Sequence, residues 1–201
     1  MNKTDTRWKI LQAGAELVHR QGFHHTGLKE ILDASGVPKG SFYFYFKSKE
    51  DFGLALIDLY VEEIAAVARS CFEDESRSPV ARLHAFFLGS YARLEAEGCQ
   101  KGCPIGNLCQ EMSDLSPAFR QKLESATELM IAGITQVLQK ARAAGELPDH
   151  LDPEETARFI TSSWQGAMLT MKVVKSIEPL HRFDRFIFGE ILSGPKPDRP
   201  A

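Results

Sequence analysis

The stretch Gly36-Val37-Pro38-Lys39-Gly40-Ser41-Phe42-Tyr43-Phe44-Tyr45-Phe46-Lys47-Ser48-Lys49 interleaves aromatic, small and basic residues as no buried segment would. Gly36 suits a turn that needs positive φ. Pro38 suits the first turn of a new helix, where its missing N–H would have had no partner. Phe42 and Phe46, four apart, can face inward together, leaving Lys39, Ser41, Tyr43 and Lys49 to face outward. A short helix entered through a tight glycine turn, with donors at its N-terminal end, has the form of the second helix of a helix-turn-helix.

The flanks complete the unit. Ile10, Leu11, Ala15, Leu17 and Val18 recur at helical spacing, which predicts a first helix from about Thr6 to Gln21, stopped by Gly22. Thr26 can cap a second, short helix whose apolar face is Leu28, Ile31 and Leu32 and which ends at Gly36. Ser48-Lys49-Glu50-Asp51 reads as a capping-box start for a fourth helix carrying Leu54, Leu56, Leu59, Tyr60 and Ile64.

With these residues the first quarter of the chain resembles the TetR family of transcriptional repressors. The match is carried by Thr26, Ile31, Gly36-Val37, Gly40, Phe42-Tyr43, Phe46 and Lys49 in the family's order and spacing. Pro38 departs from it, standing where the family often has a serine or threonine cap. The resemblance implies a regulator that binds double-stranded operator DNA as a homodimer. It also implies an N-terminal DNA-binding domain over 1–50 and an effector-binding and dimerisation domain over 51–193. Lys39, Gly40, Ser41 and Tyr43 are then expected in the major groove, with Lys29 adding a base or phosphate contact. Thr26, Tyr45 and Lys49 are expected on phosphates.

Charge and composition agree. Residues 1–50 hold 8 Lys/Arg against 5 Asp/Glu, leaving 16 against 22 for the remainder, a basic head on an acidic body. The small basic excess predicts weak binding by one head alone, since phosphate neutralisation dominates non-specific affinity. At 43% hydrophobic the chain can bury a sizeable core. No apolar run approaches the roughly 18 residues of a membrane span, and no signal-peptide core is evident, which predicts a soluble, cytoplasmic protein without membrane contact. Cys71, Cys99, Cys103 and Cys109 form no CxxC pair, so neither a zinc site nor any other metal or cofactor is expected.

Beyond residue 70 the pattern is helical throughout, giving an all-α protein of about nine helices. Three starts pair a capping residue with proline: Ser78-Pro79, Ser116-Pro117 and Asp152-Pro153. The tail from 194 to 201 is expected to be disordered. The last two helices, near 152–176 and 179–193, are crowded with apolar residues. Consecutive Phe186, Ile187 and Phe188 cannot all face one core, so a second apolar face implies a two-fold partner; a helix buried on all sides within one subunit is the competing reading. Phe183, Phe186, Ile187 and Ile191 are the expected interface. An effector pocket is expected among the helices near 79–96, 103–112, 116–144 and 152–176, lined by Phe86, Phe87, Tyr91, Cys103, Trp164, Met168 and Met171; ordinary core packing is the competing reading for each.

Gly102-Cys103, followed by Asn107-Leu108, resembles an element of one TetR branch that includes electrophile- and acrylate-responsive repressors, with Pro104 departing from its apolar position. The resemblance makes Cys103 a reactive cysteine and the effector a small molecule or electrophile. At a helix start, the N-terminal dipole favours a thiolate. A thiol enzyme using Cys103 as nucleophile is the alternative, but no base is recognisable near it and it would leave the helix-turn-helix unexplained.

Overall fold

The structure, a computed structural model, describes residues 3–193. The side chains of residues 3–5 and of Lys39 lie outside that description, as does the 194–201 tail. Among the described residues there are nine α-helices and no strand: α1 Lys3–Gln21, α2 Leu28–Ser35, α3 Phe42–Tyr45, α4 Lys49–Phe72, α5 Pro79–Ala96, α6 Pro104–Met112, α7 Pro117–Ala143, α8 Pro153–Val174 and α9 Glu178–Phe186. A 3₁₀ turn, Lys39–Ser41, leads into α3, and a π-helical turn, Ile187–Ile191, continues α9. No helix among the described residues is long and apolar enough to cross a membrane.

Most helix starts follow from local chemistry. Ser48 Oγ accepts the Asp51 N–H at 3.0 Å, while the Asp51 carboxylate reaches back to the Lys47 N–H at 2.9 Å, a reciprocal cap for α4. Asp152 Oδ1 accepts the Glu154 and Glu155 N–H groups at 3.0 and 2.9 Å ahead of Pro153. Ser116 Oγ accepts the Phe119 N–H and donates to Glu50 at 2.6 Å. Before Pro104, the Cys103 sulfur takes the capping role and accepts the Gly106 N–H at 3.4 Å.

Thr26 corrects one expectation. The residue that caps α2 is Gly27, with no side-chain bond. The Thr26 hydroxyl instead donates backward to the Gly22 carbonyl at 2.6 Å and is fully buried. A hydroxyl can bond either the turn it leaves or the helix it precedes, and here the turn wins.

The chain gathers into two compact units. The first comprises residues up to Ile64 together with Cys103–Thr127. Ile10, Ile31, Phe42, Phe46, Phe52, Leu56, Ile57, Ile105 and Phe119 form its interior. Gly53 on α4 is there because a Cβ would stand 2.4 Å from the Phe119 ring and 2.5 Å from the Phe23 ring. The second comprises Ala65–Gly102 and residues from Glu128 onward, centred on Leu83, Phe87, Leu138, Ile160, Met171 and Leu180. In this unit the π turn resolves the crowded run that begins at Phe186. Its wide pitch bonds the Leu192 N–H to the Ile187 carbonyl at 2.9 Å, burying both residues and leaving Phe186 outside.

Candidate functional site

Gly36 ends α2 in the left-handed region at φ 65°, with its N–H on the Asp33 carbonyl. A side chain there would be strained, so the sharp turn depends on glycine. Pro38 stands one residue ahead of the 3₁₀ turn at φ −58° and ψ 141°, not within the helix's first turn. Phe42, Phe46 and Phe52 then meet with ring centroids 5.2–5.7 Å apart, fixing α3 from beneath. Above this anchor Tyr43 is 65% exposed and Phe44 63% exposed, while a Cβ on Gly40 would meet nothing within 4 Å. Large aromatics turned to solvent beside an open glycine describe a surface that waits for a partner. Phe44 escaped the sequence reading because nothing in an unbroken aromatic run says which members turn outward.

Of the other expected DNA contacts, Lys29 is exposed, and Ser41 and Tyr45 are half-buried. Lys39's side chain lies outside the described residues. Thr26 is turned inward, so its hydroxyl is not presented to a phosphate. Lys49 is half-buried and bonded: its ammonium donates to the His24 carbonyl at 3.3 Å and sits 4.7 Å over the Phe23 ring. Burial pulls its pKa down, against the opposing pull of Glu111's charge. An ammonium carries three donors, and the His24 carbonyl takes one of them.

In the second unit, several expected pocket residues meet as a packed cluster. Phe87 lies 5.0 Å from Trp164 and 5.1 Å from Phe183, and Tyr91 lies 5.5 Å from Trp164. Met168 and Met171 are buried, and Phe86 is half-buried against Phe72 and Phe87. The sequence reading missed the polar margin of this cluster. Asp184 Oδ1 lies 2.7 Å from His84 Nε2 and accepts from the Tyr91 hydroxyl at 3.3 Å, and His84 stacks on Phe188. Burial, aided by Asp184's charge, pushes the Tyr91 hydroxyl pKa well up. A cavity of about 730 Å³ lies elsewhere in the unit, lined by Leu151, Glu155, Phe159, Glu190 and Ile191 among others.

Cys103 belongs to the first unit, buried as the cap of α6. Burial pushes the neighbouring Cys109 thiol up. Among the described residues no group of three His, Cys, Asp or Glu is arranged to hold a metal ion.

The expected interface set divides. Phe183 and Ile187 are buried within the second unit, Phe183 against Phe87 and Trp164, so neither presents a side chain outward. Phe186 is 57% exposed, and Ile191 is half-buried in the cavity wall. The outward apolar residues that sequence reasoning missed are Phe159, Leu169, Val173 and Val174 on α8. Phe159, Ser162, Gly166, Leu169 and Val173 repeat at alternating three- and four-residue steps, which draws one stripe along that helix.

Residues 10–56 match the family described as bacterial regulatory proteins of the tetR family, and residues 79–187 match the tetracyclin repressor-like C-terminal domain. The chain is 39% identical to the transcriptional regulator AcuR of Cereibacter sphaeroides over 88% of its own length and 80% of that protein's. It is 32% identical to the transcriptional repressor DhaR of a Mycobacterium species over 96% and 95%. The crystal structure of Escherichia coli NemR in its reduced form superposes at a TM-score of 0.80 with 30% identity, covering 94% of this chain and 99% of that one. The exposed aromatic face above the Phe42–Phe46–Phe52 anchor is thus carried on a helix-turn-helix, and the chain belongs to the TetR family of DNA-binding transcriptional regulators.

Proposed function

We propose that the protein is a cytoplasmic repressor that binds a palindromic operator as a two-fold dimer and releases it when an effector binds. The observation that carries this reading is the outward face of α3, where Tyr43 and Phe44 stand exposed on a buried aromatic triangle. Tyr43 and the open backbone at Gly40 enter the major groove, Lys29 and Lys39 extend the contact, and Tyr45 and Lys49 reach phosphates. Both heads must meet the same face of the duplex, so half-sites are expected about 34–36 Å apart or at a multiple of that spacing. Tyr43→Ala is expected to cost about 1–3 kcal/mol of operator binding with little change in thermal stability. Fluorescence anisotropy on DNA from promoters flanking the gene measures this, and unchanged affinity would remove α3 from the groove.

The effector acts on the body. The Phe87–Tyr91–Trp164 cluster, with the His84–Asp184 pair at its margin, supplies apolar surface and a few polar groups, the usual make-up of a small-molecule site. To release DNA, the effector must favour the released form over the bound one, because equal affinity shifts nothing. Cys103 is the proposed electrophile target. Its sulfur caps α6, so an adduct removes an acceptor at that helix end. Mass spectrometry after sub-stoichiometric maleimide is expected to find Cys103 modified ahead of Cys109, with operator binding weakened. Cys103→Ser is expected to keep operator binding and lose that response. Equal modification of all four cysteines with DNA binding intact would leave only a reversible ligand.

A further inference from the structure

The turn between α1 and α2 is held by a side chain from far along the chain. Glu111, near the end of α6, accepts the Phe23 N–H on one carboxylate oxygen at 2.8 Å and the His24 N–H on the other at 2.7 Å. Charge-assisted bonds of this length are the strong kind, and using both oxygens fixes direction as well as distance. The surroundings are shaped to the carboxylate. Gly22 takes φ +89°, and a Cβ there would press to 3.2 Å from a Glu111 oxygen. Two carbonyls of the turn are also occupied: the Thr26 hydroxyl donates to that of Gly22 and the Lys49 ammonium to that of His24. The Phe23 ring packs on Phe119 at 5.0 Å.

We propose that Glu111 is a positioning residue for operator recognition: it sets the pose of the DNA-reading helices by clamping the turn from which α2 departs, without touching DNA. α2 leads through the Gly36 turn and the 3₁₀ turn Lys39–Ser41 into α3, so the angle at which it leaves the clamped turn fixes where Tyr43 points. Contacts to base edges depend on register that the rest of the interface must hold. The clamp requires only that the head bind DNA, and it stands whether or not Cys103 senses electrophiles.

Electrostatics makes the test one of sign. Glu111→Gln removes a negative charge, which taken alone strengthens attraction to a phosphate backbone. The amide also replaces one acceptor with a donor that faces a main-chain N–H. Positioning therefore predicts weaker operator binding, by about tenfold or more given the strength of hydrogen bonds to charged groups. It also predicts that hydrogen exchange rises in peptides covering 36–46 as well as 22–26, although Glu111 is bonded only to the latter. Glu111→Asp keeps the charge on a shorter arm and should fall between wild type and Gln. Circular dichroism and sedimentation on the whole 201-residue chain check that each variant remains folded. Operator affinity for Glu111→Gln that is unchanged or increased would overturn the proposal, as would exchange confined to 22–26. If Glu111→Gln does not fold, operator affinity for Glu111→Asp equal to wild type overturns it.

Discussion

Replacing Phe42 with alanine is expected to abolish operator binding by unfolding the DNA-reading head. Phe42 is fully buried and touches Phe46 and Phe52 at centroid distances of 5.3 and 5.7 Å. Truncating a buried phenylalanine costs about 3–5 kcal/mol, from lost transfer energy and the cavity left behind. That loss is a large fraction of the roughly 5–15 kcal/mol that holds a whole domain folded. α3 is four residues long, too short to persist without tertiary packing. Its neighbour Tyr43 is the built-in control, because its ring is 65% exposed and meets the anchor only edge-on at Phe42, 5.5 Å between centroids, so removing it leaves the contacts among Phe42, Phe46 and Phe52 in place. Thermal denaturation followed by anisotropy separates the two variants. A Phe42→Ala protein that melts within a few degrees of wild type would show that the triangle does not support the helix.

The contrast between Phe42 and Tyr43 also marks what could be read in advance. The four-residue spacing of Phe42 and Phe46, the glycine at 36 and the cap-plus-proline starts at 78, 116 and 152 are local signals whose meaning needs nothing distant. Each was legible, and together they gave an all-α chain with its reading helix in place. Residues whose role depends on distant partners were not legible. Thr26 had two local choices, to accept an N–H of α2 or to donate back to the turn, and only the folded turn shows which one it takes. Lys49 was expected to face outward to a phosphate, and its bond to the His24 carbonyl and its seat over the Phe23 ring had no local signal. Glu111 lies 88 residues from Phe23, and no pattern in α6 points toward the turn it holds. Asp184 lies 100 residues from His84 in the same way. The apolar C-terminal helices were recognised as having two faces, but helical periodicity does not say which face belongs to the subunit's own core. Phe183 and Ile187 fell on the inner face, and the α8 stripe took the outer one.

As the proposed dimer interface, the exposed α8 face carries the other large effect. Leu169→Glu or Val173→Glu is expected to convert the protein to a folded monomer that no longer holds its operator. Val173 is 76% exposed and Leu169 46% exposed, so a charge at either position costs the isolated subunit little. In a dimer packed along the Phe159–Val173 stripe, the same carboxylate is buried against an apolar partner twice over by symmetry, at several kcal/mol per ion. Ser162 and Gly166 lie in the middle of that stripe and are exposed, which lets a second backbone approach closely. Losing the partner removes the linked second head, whose effective concentration near the other half-site is in the millimolar range. Avidity of that kind is worth roughly a hundredfold to ten-thousandfold. A head with only a small basic excess does not compensate for it. Phe183→Glu and Ile187→Glu should behave differently, because both side chains are buried in the subunit's own core: their melting temperatures fall before any question of assembly arises. Sedimentation velocity at micromolar concentration, paired with operator binding, distinguishes these outcomes. A Val173→Glu protein that sediments as a dimer and binds DNA normally would move the interface off α8.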